Sequence, residues 1–177
     1  LTHFDIDVTG RRVLDVGAST GGFTHCLLTR GADYVVALDV GHGQLHPRIR
    51  EDDRVTVLER TNVRDSTPTS IGGLVEAIVV DVSFISLRTI APVLVTLCQP
   101  GSPMVLLVKP QFEAGRQEVD RSRGIITDPE IHDRVRAEID EDRRWGVTNV
   151  EILSAAEASA RVAVDSLMLG AFNPHCA

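Results

Sequence analysis

The chain has 177 residues, 43% of them hydrophobic and 24% charged, a composition that fits one soluble globular domain with a core of its own. Its formal net charge of −7 excludes a protein that holds nucleic acid by bulk electrostatics. No apolar run is long enough to cross a membrane, and Asp5, Asp7, Arg11 and Arg12 interrupt any signal-peptide core. Cys26, Cys98 and Cys176 share no motif spacing and read as reduced thiols of a cytoplasmic protein. Arg116, Arg121, Arg123, Arg134, Arg136, Arg143 and Arg144 crowd one third of the chain, interleaved with acids. Both solvated faces and a local basic surface fit them.

In chain order, residues 12–16 read as a strand, followed by a helix over about 22–30. Residues 34–39 form the second strand, with a short helix over 44–50, and residues 55–58 the third. The fourth strand covers 77–81 and is followed by a helix over about 87–97. The fifth covers 104–108 and leads into a long polar loop, then a charged helix over about 129–144. Residues 150–153 and 161–169 look like two closing strands. Several strands are nearly continuous Val, Ile and Leu, as expected where helices cover both faces. Strand–helix alternation of this kind predicts one α/β domain with a doubly wound, parallel, Rossmann-like sheet.

In such sheets ligands bind beyond the carboxyl ends of the strands. Those ends carry Asp15, Asp39, Asp81 and Lys109 on four separate strands. A solvated strand-end acid explains any one of them; four on one rim point to a ligand. Between Asp15 and the first helix lies Gly17-Ala18-Ser19-Thr20-Gly21-Gly22, small enough for backbone to approach a ligand closely. The dinucleotide pattern G-x-G-x-x-G is absent, and Asp15 would repel a pyrophosphate. Asp39 is placed to accept from ribose hydroxyls. S-adenosylmethionine has a ribose, a sulfonium and an ammonium, and it satisfies both acids. The chain has 17 arginines and one lysine, Lys109. Lysine can lose its proton near neutral pH when buried or crowded by charge, whereas arginine effectively cannot. A salt-bridged strand-end lysine is the alternative, but Pro110 fixing the exit of the chain and the lack of any other lysine favour a functional Lys109. His42 and His46, four apart, lack a third metal ligand, and no metal is expected.

The segments DVGASTGGFT, ALDVGHGQL, RVTVLERTNVRD, VVDVSFISL, LLVKPQFEAGR and GIITDP, in this order, resemble the hemolysin-A type of FtsJ-like ribosomal RNA 2′-O-methyltransferases. VDVSFISL and VKPQFE carry the specificity; the glycine loop alone would indicate only a class I methyltransferase. The resemblance implies a class I S-adenosylmethionine-dependent fold with a mostly parallel seven-stranded sheet. It implies Asp15, Gly17, Ser19, Gly21 and Gly22 around the amino-acid portion of the cofactor, Asp39 on its ribose, Thr61 and Asn62 beside its adenine, and Asp81 among the residues that bind it. It also implies a Lys-Asp-Lys-Glu tetrad, in which Asp81 matches the aspartate and Lys109 the second lysine, the central base. Ribosomal RNA would be the partner.

Two tetrad positions depart from the family. The first lysine belongs to an SRGAxKL-like stretch, while this chain opens on Leu1-Thr2-His3-Phe4, which looks like the end of that helix. The expectation is likewise that these 177 residues hold no counterpart of the family's amino-terminal S4-type RNA-binding domain. At the glutamate position, Asp165 is the candidate, one methylene shorter, and an exposed strand acid fits it equally. The expectation is a single methyltransferase domain over residues 1–177, catalytically incomplete if these residues act alone. The alternative is a non-catalytic S-adenosylmethionine- or RNA-binding remnant; a nucleotide-dependent oxidoreductase lacks its glycine signature.

Overall fold

In the computed structural model, which describes residues 6–114 and 129–141, the apolar runs pair into one sheet. Its strands are β1 (Arg12–Val16), β2 (Tyr34–Leu38), β3 (Val55–Leu58), β4 (Ala77–Val80) and β5 (Met104–Leu106). They lie in the order β3-β2-β1-β4-β5, and every neighbouring pair is parallel. The helices are α1 (Gly22–Thr29), α2 (Pro47–Arg50), α3 (Leu87–Leu97), α4 (Pro110–Glu113) and α5 (Pro129–Glu141), with a 3₁₀ turn at Val63–Asp65. All of these belong to the compact unit Val8–Thr148; the remaining unit, Leu1–Asp7 with Asn149–Ala177, lies almost wholly outside the described residues.

Strand side chains alternate between two faces, and each face has its own core. Register sets Leu14 beside Val36 and Ile78, and Val16 beside Leu38 and Val80. This face packs against Leu87, Ile90, Leu94 and Leu97 of α3. Those helix residues recur at three- and four-residue spacing, so α3 presents one apolar stripe. Each such leucine or isoleucine, fully buried, contributes about 1.5–3 kcal/mol relative to exposure. On the opposite face Ala37, Val55 and Val57 meet Leu45 and Ile49 around α2. Asp15 has odd parity in β1 and therefore points with Ala37 toward the α1 side.

The strands at 12–16 and 55–58 and the helix at 87–97 stand where the sequence places them. β2 and β4 stop one residue short of Asp39 and Asp81, and β5 stops at Leu106. The second helix begins at Pro47 because proline occupies its first turn, where a missing N–H costs nothing, and the His46 ring accepts from the Arg48 N–H at 3.2 Å. The loop expected after β5 instead begins with the α4 turn. The two closing strands lie outside the described residues, so the described sheet has five strands.

Candidate active site

The chain lays β2 and β3 on one side of β1 and β4 and β5 on the other, so the topological switch point falls between β1 and β4. The glycine loop sits there. Gly17 donates its N–H to Leu38 O at 2.8 Å. With φ +83, it lies so close to the end of β4 that a Cβ would stand 2.2 Å from the Asp81 carbonyl oxygen. Only glycine fits. Gly21, at φ +99, faces Ile49, whose Cδ1 would be 2.4 Å from a Cβ. Gly22 has open space around it and is the first residue of α1.

Asp39 ties this loop to its neighbours. Its Oδ2 accepts from the Ser19 N–H at 2.8 Å and its Oδ1 from the Gly41 N–H at 2.7 Å. Ser19 is itself in the left-handed region, φ 48, a conformation costing a non-glycine residue about 1–2 kcal/mol that the Asp39 contact offsets. The Asp39 carbonyl accepts from the Thr61 N–H at 3.0 Å, and Asn62 Oδ1 accepts from the Arg64 N–H at 3.1 Å. Hydrogen bonds thus join Ser19 and Thr61 to Asp39, and Gly17 to Leu38 at the end of β2, along the carboxyl-end rim of the sheet. Beside it, Glu59 gathers the Gly43 N–H at 2.8 Å, the His42 ring at 2.8 Å and the Arg50 guanidinium. Although partial burial pushes it up, these donors hold the Glu59 carboxyl below its ordinary range.

Asp15 differs from the other acids. It is not a strand-end group open to solvent: its side chain is 0% exposed. Its Oδ2 accepts from Thr24 Oγ1 of α1 at 2.6 Å, while its Oδ1 is buried without a hydrogen-bond partner. Burial pushes the carboxyl from 3.8 up to about 7, opposed by the Thr24 bonds and reinforced by the negative charges of Asp81 and Asp39. A buried acceptor with no donor is costly; a cationic or hydrogen-bonding ligand at the loop would relieve it.

Across the switch point Lys109 Nζ lies 2.6 Å from Asp81 Oδ1, a close ion contact off the hydrogen-bond axis. Nζ also donates to Ser83 Oγ at 3.0 Å. Both partners remain partly open, at 24% and 36% side-chain exposure, so the amine is reachable from the rim. Asp165 lies outside the described residues, as do the arginines from Arg116 to Arg123.

Sequence reasoning missed Thr24, Ser83, Glu59 and Glu113. Ser83 and Glu113 stand inside VDVSFISL and VKPQFE, the segments that carry the resemblance, and only the charged members Asp81 and Lys109 were read from them. Glu113 accepts from the Leu87 N–H and from Ser86 Oγ at the start of α3. His42 and His46 are held by Glu59 and Arg48.

A glycine loop at the switch point of a parallel sheet, with an acid at the end of the next strand, is an arrangement that class I methyltransferases share with other nucleotide-binding α/β folds. Similarity to known proteins places this chain among the methyltransferases. The S-adenosylmethionine-dependent methyltransferase of Mesorhizobium loti, at 14% identity, superposes with a TM-score of 0.60 over 94% of this chain and 88% of its own. A profile described as FtsJ-like methyltransferase matches residues 1–156, and the chain belongs to that family. It is 54% identical over 134 residues to the 16S/23S rRNA (cytidine-2′-O)-methyltransferase TlyA of Mycobacterium tuberculosis, covering 76% of this chain and 50% of that protein. A Lactococcus lactis protein of known structure is 40% identical, with a TM-score of 0.78 over 82% of this chain and 70% of its own. The chain spans about half the length of the curated relatives it matches.

Proposed function

We propose that this chain is the catalytic domain of an S-adenosylmethionine-dependent RNA methyltransferase that modifies a ribose 2′-hydroxyl of ribosomal RNA in the cytoplasm. The observation that carries the reading is the pairing of Lys109 with Asp81, at 2.6 Å, beside the glycine loop that closes on the Asp81 carbonyl. The TlyA name of the Mycobacterium tuberculosis relative supports ribosomal RNA as the substrate class and cytidine as the nucleotide to test first.

The residues present fit the cofactor. The partnerless Asp15 Oδ1 would meet the positive amino-acid end, the Gly17 and Gly21 backbone would lie against it, and Asp39 would take the ribose hydroxyls on its free lone pairs. Thr61 and Asn62 would flank the adenine. S-adenosylmethionine, when bound, supplies an electrophilic sulfonium methyl group.

A ribose hydroxyl becomes an adequate nucleophile once its proton is withdrawn. The Lys109 amine would accept that proton in its neutral form, after the ion-paired ammonium has released its own proton to solvent, and Asp81 Oδ1 at 2.6 Å would stabilise the ammonium formed. The Ser83 hydroxyl, 3.0 Å from Nζ, fixes the direction of the amine. Alignment then supplies most of the acceleration. From the resemblance alone, Asp165 is the candidate for the tetrad's final acid.

The test is transfer of labelled methyl from S-adenosylmethionine to ribosomal subunits, followed by nucleoside mass spectrometry. Label in a 2′-O-methyl nucleoside, lost in Lys109→Ala, supports the reading. Label on a base, or transfer that survives Lys109→Ala at the wild-type rate, contradicts it.

A further inference from the structure

The two segments that meet at Lys109 stay in register beyond it. The loop running from Asp81 to Ser86 and the segment from Lys109 to Glu113 face one another through three successive contacts. At the first, Lys109 Nζ meets Asp81 Oδ1 at 2.6 Å and Ser83 Oγ at 3.0 Å. At the second, the Phe84 and Phe112 rings lie tilted with centroids 5.1 Å apart. At the third, Glu113 Oε1 accepts from the Leu87 N–H at 2.7 Å and Oε2 from Ser86 Oγ.

The third contact bears the mechanical load. Glu113 sets a carboxylate at the amino end of the 11-residue helix α3, where orphan N–H groups and the helix dipole favour negative charge. Ser86 Oγ simultaneously accepts from the Arg88 N–H at 3.1 Å. By contrast α4 is a single turn of four residues, closed by Phe112 N–H on Lys109 O at 2.9 Å and Ala114 N–H on Pro110 O at 2.8 Å. One turn has no helical stability of its own, so its orientation follows from tertiary contacts: its packing on α5, the Phe84 ring and what its two ends hold. Lys109 is the residue that caps it at one end, and Glu113 closes it at the other. Between the two flanking contacts Phe84 keeps φ at 64, a left-handed conformation that persists only where the surroundings over-determine it.

We infer that Glu113 is a positioning residue for Lys109: anchored on Ser86 and Leu87, it holds the α4 turn against α3 and so fixes the reach of the Lys109 amine to Asp81 and Ser83. The catalytic consequence rests on the proposed methyltransferase reading; the positioning itself does not. The chain's composition offers a direct readout, because Lys109 is its only lysine. Protein grown with ¹³Cε-lysine therefore gives a single side-chain signal that reports the environment of this amine.

The experiment compares wild type, Glu113→Ala, Glu113→Gln and Ser86→Ala by that signal, by kcat for methyl transfer and by calorimetric affinity for S-adenosylmethionine. In Glu113→Ala the signal moves toward that of free lysine, kcat falls roughly a hundredfold, and cofactor affinity stays within about twofold. Glu113→Gln keeps an acceptor for the Leu87 N–H and returns the signal and at least about a tenth of kcat. Should Glu113→Ala fail to fold, Ser86→Ala decides, since it removes one of the two anchors: a shifted lysine signal supports the inference. An unmoved lysine signal in a folded Glu113→Ala or Ser86→Ala chain overturns it. Absence of both methyl transfer and S-adenosylmethionine binding in the folded wild type, with the signal still shifted in the variants, refutes the methyltransferase reading and leaves the positioning inference supported.

Discussion

Replacing Asp15 with asparagine should change how the cofactor-free chain responds to pH. Burial holds the Asp15 carboxyl at about 7 in the folded chain against 3.8 for the free group. Below pH 3.8 both the folded and unfolded chains carry the proton, and Asp15 imposes no penalty. Between pH 4 and 7 the unfolded chain has released it while the folded chain retains it, so stability falls by about 1.4 kcal/mol per pH unit. Above pH 7 the loss is complete, on the order of 4 kcal/mol. Asparagine cannot ionise and does not incur this loss. Its amide leaves donors unpaired where Oδ1 has no partner, a cost of about 1–3 kcal/mol that is independent of pH. Urea unfolding of both chains at half-unit steps from pH 4 to 8 isolates the effect, because the remaining carboxylates are common to both. The stability difference, Asp15→Asn minus wild type, should rise by about 4 kcal/mol across that range. A difference that stays flat within about 1 kcal/mol would refute the assignment of a buried, destabilised carboxylate.

Three substitutions probe the rest of the site. Gly17→Ala forces a Cβ to within 2.2 Å of the Asp81 carbonyl oxygen at φ +83 and should cost about 3 kcal/mol, whereas Gly22→Ala, with open space around it, should be neutral or stabilising by up to about 1 kcal/mol; urea midpoints measure both. Equal effects at the two positions would contradict the close approach of β1 and β4. Lys109→Arg keeps the positive charge opposite Asp81 but cannot release its proton. It should lower kcat by about 10²–10⁴, and a rate within about tenfold of wild type argues against Lys109 as the proton acceptor.

Much of this architecture was legible because it rests on local chemistry. Continuous Val, Ile and Leu runs can be buried only when helices cover both faces, so β1 and β3 and the helix α3 are readable to the residue. Strand ends were less sharp. Asp39 and Asp81 follow the last paired residue, and nothing local distinguishes a final rung from the first residue past it. Parity within β1 carried more information than was drawn from it: Asp15 alternates with Leu14 and Val16, which places it on the α1 face and away from open solvent. Thr24 could have been found the same way, as a polar residue on the inner side of α1, nine positions on. The α4 turn was hidden because its stability is tertiary. Pro110 signals a start, but tertiary contacts, those of Glu113 with Ser86 and Leu87 among them, make a turn of that loop. Ser83 and Glu113 stood in the most specific motifs of the chain, and their roles became visible only when those motifs were seen facing each other.

The central claim, that the cleft beyond β1, β2 and β4 holds S-adenosylmethionine, is tested most directly by calorimetric titration of this chain with that compound. Wild type should bind with a dissociation constant of about micromolar order. Asp39→Ala, which releases the Ser19 and Gly41 N–H groups, should weaken binding by about tenfold or more, roughly 1.4 kcal/mol, while Lys109→Ala should bind as wild type does. A folded wild-type chain that binds no S-adenosylmethionine, or equal affinity in wild type and Asp39→Ala, would contradict the account.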